Sequence, residues 1–494
     1  MNMAQRFVIG IDSSTQSTKA IVWNEKGQPI SEGRALISMK MPKPGHAEQD
    51  PHEWWDSFKI ALGQAIKKID PMRVEGISIS NQRETVAFLD HDGTSLHDAM
   101  VWLDERAANE VESLCKIVGG EQIHKISGKP IDPTPVLYRL RWLSKNKPEV
   151  LEKTHRILDV QGYLVFRLTG TAKTSWTSAD PFGTFDIHKK VWSSTLLDHV
   201  GVSTDQFPEA LCPGEEIGKI SEKIASEFNL PMNLKVFAGG GDGQCAGLGV
   251  NAIAGGRTYM NLGTAIIAGA SSKDLRLSNF WRTLISPTGE GYFLESVQRA
   301  GAFFVNWFLE CLGSGKRTGE IFSQLEGQAS KIDIGSEGVI VQTHLSGCMD
   351  PHWDPSSTGA FLGLRTHHTQ AHLYRASLEA LTLESARAMK KMASEGVELQ
   401  KINVIGGGAQ SPLWMKMIAD AAQLPVQRSL SNEASALGAG ISAAVGTGWF
   451  ANFEEAAAAM TNEAELIEPD QKVAEKWQDL SSKQARPYKI LKQI

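Results

Sequence analysis

The stretch "LKVFAGGGDGQCAG", residues 234–247, runs an apolar, strand-like piece into a glycine turn that holds a single carboxylate, Asp242. Glycine lets a backbone take positive φ and lets a ligand come close to it. A strand ending this way can hold a reactive group at a sheet edge. It equally suits a plain strand-to-helix turn with Asp242 as the helix cap. At this residue alone the two readings stand side by side.

Comparable strand endings recur along the chain. Phe7–Ile11 reads as a buried strand, Asp12–Ser17 as a polar turn and Lys19–Trp23 as a second strand. "EGISISNQRETVAFLDHDGT" repeats the pattern, with strand Gly76–Ser80, turn Asn81–Glu84 and strand Thr85–Leu89. Much later, "GGRTYMNLGTAIIAGAS" reads strand, turn, strand, and "KINVIGGGAQSPLWMKMIADAAQ" reads strand, glycine turn, helix. "GIDSST", "GGGDG", "NLGTA" and "IGGGAQ" are thus strand-ending turns, two in each half. Two halves facing their turns across one cleft predict a two-lobed α/β molecule. The lobes are placed at 1–250 and 255–445, joined near residues 245–258. Residues 446–494 are read as a helical tail packing on the body.

Composition narrows the class. A chain of 494 residues is too long for one ordinary core. Lys plus Arg is 50 against 56 Asp plus Glu, a net charge of −6 without a basic run, which argues against nucleic-acid or membrane partners. Cys115, Cys212, Cys245, Cys311 and Cys348 lie far apart with no CxxC pair, a pattern of reduced thiols. The opening "MNMAQRFVIGID" enters a strand at once and has no long apolar region. A cytoplasmic protein is expected.

Two motifs mislead. "GSGKRTG" resembles a phosphate-binding Walker loop but has Arg317 where Ser or Thr must follow the lysine, so it reads as a loop. "GAGISA" imitates a dinucleotide fingerprint inside an Ala-rich helix and reads as close helix packing. "DSSTQSTK" offers hydroxyls and free amides for a phosphate, with Asp12 available to Mg²⁺. Gly263 and Thr264 of "NLGTA", and Gly408 of "GGGAQSP", offer backbone to an anion or nucleoside. Arg83 and Glu84 stand side by side after a strand, and Trp102 follows in "MVWLDERA" as core or as an apolar wall. His367 and His368 lack metal-ligand spacing and read as surface residues; Cys245 reads as a buried small hydrophobe. Together, the turns, the acid and the charged pair suit phosphoryl transfer from ATP to an alcohol. That chemistry rests on positioning, electrostatics and one base.

At these residues the chain resembles the FGGY carbohydrate kinases. "GAFLGLRTHHTQAHLYRASLE" (359–379) fits the family's C-terminal signature, and the four turns fall in the family's order and spacing. The resemblance implies an actin- and hexokinase-like fold of two ribonuclease-H-like lobes with MgATP and sugar in the cleft. Asp242 matches the family's catalytic base and Asp12 its Mg²⁺-associated acid. By the same resemblance Thr15 falls in the family's first phosphate loop, Gly263 and Thr264 match its second, and Gly408 matches its nucleotide-binding glycine. Arg83, Glu84, Trp102 and Thr134 line the acceptor pocket. A homodimer is compatible with this reading.

Departures from the family pattern bear on the acceptor. "SNQRET" and "VWLDER" resemble glycerol kinases, whose pocket carries the same Arg–Glu pair. Thr134 stands where those enzymes have Tyr, and Gly243 where they have Gln after the catalytic Asp. "GGGDGQCAGLG" looks more like xylulokinases. Two lost side chains leave volume for a five-carbon ketose, so a pentulose is expected as acceptor. Glycerol or a short polyol is the alternative, and a non-catalytic actin-like ATPase is the alternative of another class.

Overall fold

The computed structural model describes residues 6–253, 255–313, 315–431 and 433–493. Residues 1–5 of the expected first lobe, Ala254 of the expected junction, Ser314 of "GSGKRTG" and Ile494 of the tail lie outside the described residues.

Alternation in the opening strands builds the first sheet. Along β1 (Phe7–Ser13), Phe7, Ile9 and Ile11 enter one apolar cluster while Val8 enters another on the opposite face. β2 (Ser17–Trp23) divides likewise, with Ala20 and Val22 on one side and Ile21 and Trp23 on the other. A period of two that is apolar on both faces belongs to a strand covered on both sides. The turn between them is shorter than the sequence suggests. Asp12 and Ser13 continue the strand, because each pairs with a neighbour on both sides.

β3 (Pro29–Leu36), β4 (Val74–Asn81), β5 (Glu216–Lys219) and β6 (Lys235–Gly241) complete a six-stranded sheet in the order β5-β6-β4-β1-β2-β3. The central strands β1, β4 and β6 are parallel and in step: Ser13 pairs with Asn81, which pairs with Gly241. Their carboxyl ends therefore open at one rim. α1 (Pro51–Ile66), capped by Asp50, covers one face with Trp54, Phe58, Ala61 and Leu62. α2 (Asp242–Gly249) starts directly from β6.

The second sheet holds β7 (Arg257–Leu262), β8 (Ile266–Ser272), β9 (Arg282–Ile285), β10 (Tyr292–Gln298), β11 (Lys401–Ile405), β12 (Val426–Ser429) and β13 (Glu463–Ile467). Its order is β9-β10-β8-β7-β11-β12-β13. β7 and β11 are parallel neighbours, so the "NLGTA" and "IGGGAQ" turns leave the same end of the sheet. α3 (Gln370–Ser394) and α4 (Pro412–Ala422) supply Leu378, Leu381, Trp414 and Ile418 to its core. β13 lies in the tail, which is otherwise helical at Phe453–Met460, Ala474–Gln484 and Arg486–Leu491.

α5 (Ala434–Gly446) follows β12 in sequence yet packs on the first sheet, with Leu437 and Ile441 beside Val8, Ile21 and Trp23. It lies backbone to backbone against α2 and β1. A Cβ on Gly438 would overlap the Cys245 carbonyl, one on Gly249 that of Ala434, and one on Gly10 that of Ala436. "GAGISA" is thus close helix packing, as its composition suggests. Among the described residues no helix is long and apolar enough to cross a membrane.

Backbone cannot yield as a flexible side chain can, so Gly438→Ala is expected to cost about 1–3 kcal/mol through overpacking. Gly327, in the helix Gly319–Ala329, has open space at its Cβ position. Gly327→Ala is expected to add up to about 1 kcal/mol through helix propensity. Urea denaturation midpoints should move in opposite directions for the two variants.

Candidate active site

The rim where β1, β4 and β6 end collects four of the expected residues. Asp12 is near the end of β1, Arg83 and Glu84 follow β4, and Asp242 follows β6. The capping reading of Asp242 fails here. Gly241 occupies the N-cap position without a side-chain cap, and Asp242 is the first residue of α2. Its Oδ1 accepts the Gly243 N–H at 2.8 Å and pairs with Arg83 Nε at 3.0 Å. Among the described residues nothing binds its Oδ2, and the side chain is 39% exposed.

Arg83 continues into a buried ion network. Its second nitrogen donates to both oxygens of Glu295 at 3.0 Å. Arg282 donates to Glu295 at 2.5 Å and to Glu84 Oε1 at 2.7 Å. Glu295 is fully buried on β10 and Arg282 nearly so on β9, so the second sheet holds the acids and bases of the first. Glu84 takes a left-handed backbone, φ 48°, that only a few per cent of non-glycine residues adopt. Arg139, from the helix Val136–Asn146, fixes that turn by donating to the Glu84 carbonyl.

Burial and neighbours set the charges. Removal from water opposes the Glu295 charge, but Arg83 and Arg282 outweigh it and hold the carboxyl below its usual range. Burial raises Asp242, with Glu295 adding to the rise while Arg83 opposes it. Asp12 is pushed up to about 7 by burial and then by Asp242, against the pull of Lys19 and a 3.0 Å hydrogen bond from Ser80. A buried carboxyl with one donor and a second carboxyl nearby suits a cation.

Other expected residues also assemble. Trp102 donates its indole N–H to Thr15 Oγ1 at 3.0 Å, so the candidate wall and the first loop touch. Thr15 is further held through its carbonyl by Gln49. Gly263 and Thr264 offer their carbonyls to the Ala302 and Phe303 amides at 2.8 and 3.2 Å, which fixes the turn. A Cβ on Gly406 would come within 2.7 Å of the Leu262 backbone, so the two second-sheet turns abut. Gly408 must lack a side chain because Leu262 and Trp414 fill that space, each 2.7 Å from a Cβ placed there. β10 carries Glu295 toward the same turn, for Gln298 pairs with Ile266 just past Thr264.

The expectation of free volume changes at Gly243. Thr134 is buried, with its amide bound to Asp132 at 2.8 Å, and it stands outside the ion network. Gly243 leaves no free volume for an acceptor. A Cβ there would meet Glu295 at 2.6 Å and Arg83 at 2.9 Å, so the ion pair fills the space. Arg282 and Glu295 join the site without a motif to mark them. Their signal is a lone charge in each of two apolar strands, "WRTLI" and "YFLESV".

Removing one member of a buried ion network strands its partners. Glu295→Gln is therefore expected to cost about 3–5 kcal/mol of stability. Arg299, which pairs with Glu105 at the open rim at 3.3 Å, should cost only about 0–1 kcal/mol as Arg299→Ala. Chemical denaturation of both variants checks the ranking.

Comparison with known proteins accords with this geometry. The N-terminal domain of the FGGY family of carbohydrate kinases matches residues 7–249, and the C-terminal domain of that family matches residues 258–447. A xylulose kinase of Bacillus subtilis (strain 168) is 27% identical, covering 96% of this chain and 95% of its own. A glycerol kinase of Bdellovibrio bacteriovorus is 29% identical over 91% of this chain and 92% of its own. Among solved structures, xylulose kinase from Rhodospirillum rubrum superposes with a TM-score of 0.92 at 26% identity, covering 98% of this chain and 99% of that one. The chain belongs to the FGGY family of carbohydrate kinases, has that family's two-domain actin- and hexokinase-like fold, and is an ATP-dependent phosphotransferase.

Proposed function

We propose that the chain transfers the γ-phosphate of ATP to a terminal hydroxyl of a pentulose of the xylulose type, with Asp242 as general base. The observation that carries the chemistry is the Asp242 carboxylate. Arg83 and the Gly243 amide hold Oδ1, and Oδ2 is left for a hydroxyl. Burial and Glu295 raise its basicity toward the working range of a proton acceptor. In this reading residues 1–250 supply the acceptor site and first phosphate loop, residues 255–445 the nucleotide side, and residues 446–494 pack on the body.

Thr15 and the Gly263–Thr264 turn steady the phosphates, and Gly408 lets the nucleotide lie close to the backbone. Trp102, 38% exposed, packs against the carbon chain of the acceptor while Arg83 and Glu84 bind its hydroxyls. Asp12 would hold Mg²⁺, which when bound neutralises charge on the phosphates. Its single donor, Ser80, and its crowding by Asp242 fit that role.

For the acceptor, support comes from relatives rather than from pocket volume, since the Gly243 space is filled. Full-length relatives named xylulose kinase favour the pentulose. The Arg83–Glu84 pair and a relative named glycerol kinase favour a short polyol as the second reading.

Asp242→Asn keeps the shape but removes the base, so kcat should fall on the order of 10²–10⁴-fold. The KM for ATP should stay near wild type. Because Asp242 acts deprotonated and is raised, kcat/KM should fall with acid at a pH above that where a free aspartate titrates. A full-rate asparagine variant would reduce Asp242 to a structural residue. Coupled assays with xylulose, ribulose, xylitol, erythritol and glycerol test the acceptor. Xylulose should exceed glycerol in kcat/KM by at least about tenfold, or about 1.4 kcal/mol, and glycerol as the best acceptor would overturn the pentulose reading.

A further inference from the structure

The segment that leads into α3 carries three histidines, His367, His368 and His372, whose neighbouring ring centroids lie 4.3 and 5.3 Å apart. A carboxylate from elsewhere in the chain meets them. Glu337 Oε2 is 3.2 Å from His367 Nε2, and Oε1 is 3.6 Å from His372 Nε2. One oxygen of Glu337 and one nitrogen each of His367 and His368 lie within 4.8 Å of one another. His368 Nε2 is shielded from solvent and has no hydrogen-bond partner among the described residues.

The backbone spends strain to deliver Glu337. Gly335, Ser336, Glu337 and Gly338 all have positive φ, at 93°, 46°, 52° and 99°. Two consecutive non-glycine residues in that region are uncommon and require an external hold. Glu379 on α3 provides it, accepting the Gly335 N–H at 3.0 Å and the Ser336 hydroxyl at 2.9 Å while Arg375 pairs with it at 2.9 Å. A second tie lies at Gly363, where a side chain would overlap the Gly338 carbonyl. The loop and the histidine segment are thus built against each other.

We infer that Glu337, His367 and His368 form a site for one divalent transition-metal ion of the zinc type, with His372 orienting the Glu337 carboxylate. Two imidazoles with one carboxylate select such an ion over Mg²⁺, which prefers all-oxygen sites. Tetrahedral bonds of 2.0–2.1 Å put ligand atoms about 3.3 Å apart, the spacing already present between Glu337 and His367. His372 Nδ1 takes the Thr369 N–H, so its neutral ring carries the proton on the nitrogen that faces Glu337. His368 Nδ1 likewise accepts the Arg365 N–H at 2.9 Å. Coordination through Nε2 moves the His368 proton to Nδ1 and frees that amide, which lies in an exposed turn where water replaces the bond. The adjacency of His367 and His368 conceals the site in sequence, because the carboxylate stands 30 residues upstream of His367.

The test uses the full chain, stripped with chelator, nucleotide-free and saturated with Mg²⁺, titrated calorimetrically with Zn²⁺ alone. One Zn²⁺ per chain is expected, stoichiometric at ~20 µM protein. The double variant His367→Ala/His368→Ala should weaken binding by ~100-fold, whereas His91→Ala, from the separate His91–His155 ring pair, should not. X-ray absorption of the wild-type zinc complex should show nitrogen and oxygen neighbours only, including imidazole, so the proposal does not depend on the folding of a variant. No stoichiometric binding, equal binding by the double variant, or sulfur in the metal's shell (the exposed Cys311) would each overturn it.

Discussion

The fully buried Glu295 carboxylate is the point on which the active centre depends. It lies between two guanidiniums, one of which holds Asp242 and the other Glu84. Without it each arginine would keep a single carboxylate, Asp242 for Arg83 and Glu84 for Arg282, and the loss of one partner from a buried ion network costs several kcal/mol. With it, four side chains from three segments, Arg83 and Glu84, Asp242, and Arg282, take fixed positions before any substrate arrives. The arrangement also crosses the lobes. Glu295 and Arg282 stand on neighbouring strands of the second sheet, while their partners end strands of the first. The Asp242 carboxylate is thus positioned by both halves of the molecule at once.

That dependence explains which parts were legible in the sequence. Strand endings with glycine and acid could be read because they are local: β7 and β11 lie where alternation and turns place them, while β1 and β6 run on into their expected turns, to Ser13 and Gly241. The residues at the rim, Asp12, Arg83 and Asp242, follow from those endings. Arg282 and Glu295 could not be read the same way. Each looks like an isolated charge in an apolar strand, and its meaning lies in a partner about 200 residues away. Gly243 shows the converse error. A missing side chain suggests free space in sequence, whereas the Glu295–Arg83 pair takes that space in the fold.

The packing of α5 on the first sheet was equally invisible as topology, although its glycines announced close contact. Gly438 and Gly440 say that something approaches this helix; they do not say that it is α2 and Trp23. Apolar alternation has the same limit. Ile21 and Trp23 declare a second buried face on β2, and only the folded chain shows that a helix following β12 covers it.

The return of α5 also decides how the halves can turn. The chain passes between the sheets after α2, again on entering α5, and once more between the helix Phe453–Met460, which packs beside α5, and β13. The first two passages touch, because Gly249 at the end of α2 sits against the carbonyl of Ala434 at the start of α5. Two covalent crossings at nearly one place make a spine. A rotation about that place leaves both crossings short, whereas parting the sheets there would stretch them. The Arg83–Glu295 and Arg282–Glu84 pairs are further links between the sheets, so opening the cleft about this spine would have to part them or carry β9 and β10 along with the first sheet. The amides of Thr283 and Ile285 already bind Gly128 and Asp180 of the first half, which favours the second course. On that course the β9–β10 ribbon rides with the rim that carries Asp12, Arg83 and Asp242, and the "NLGTA" and "IGGGAQ" turns move against it.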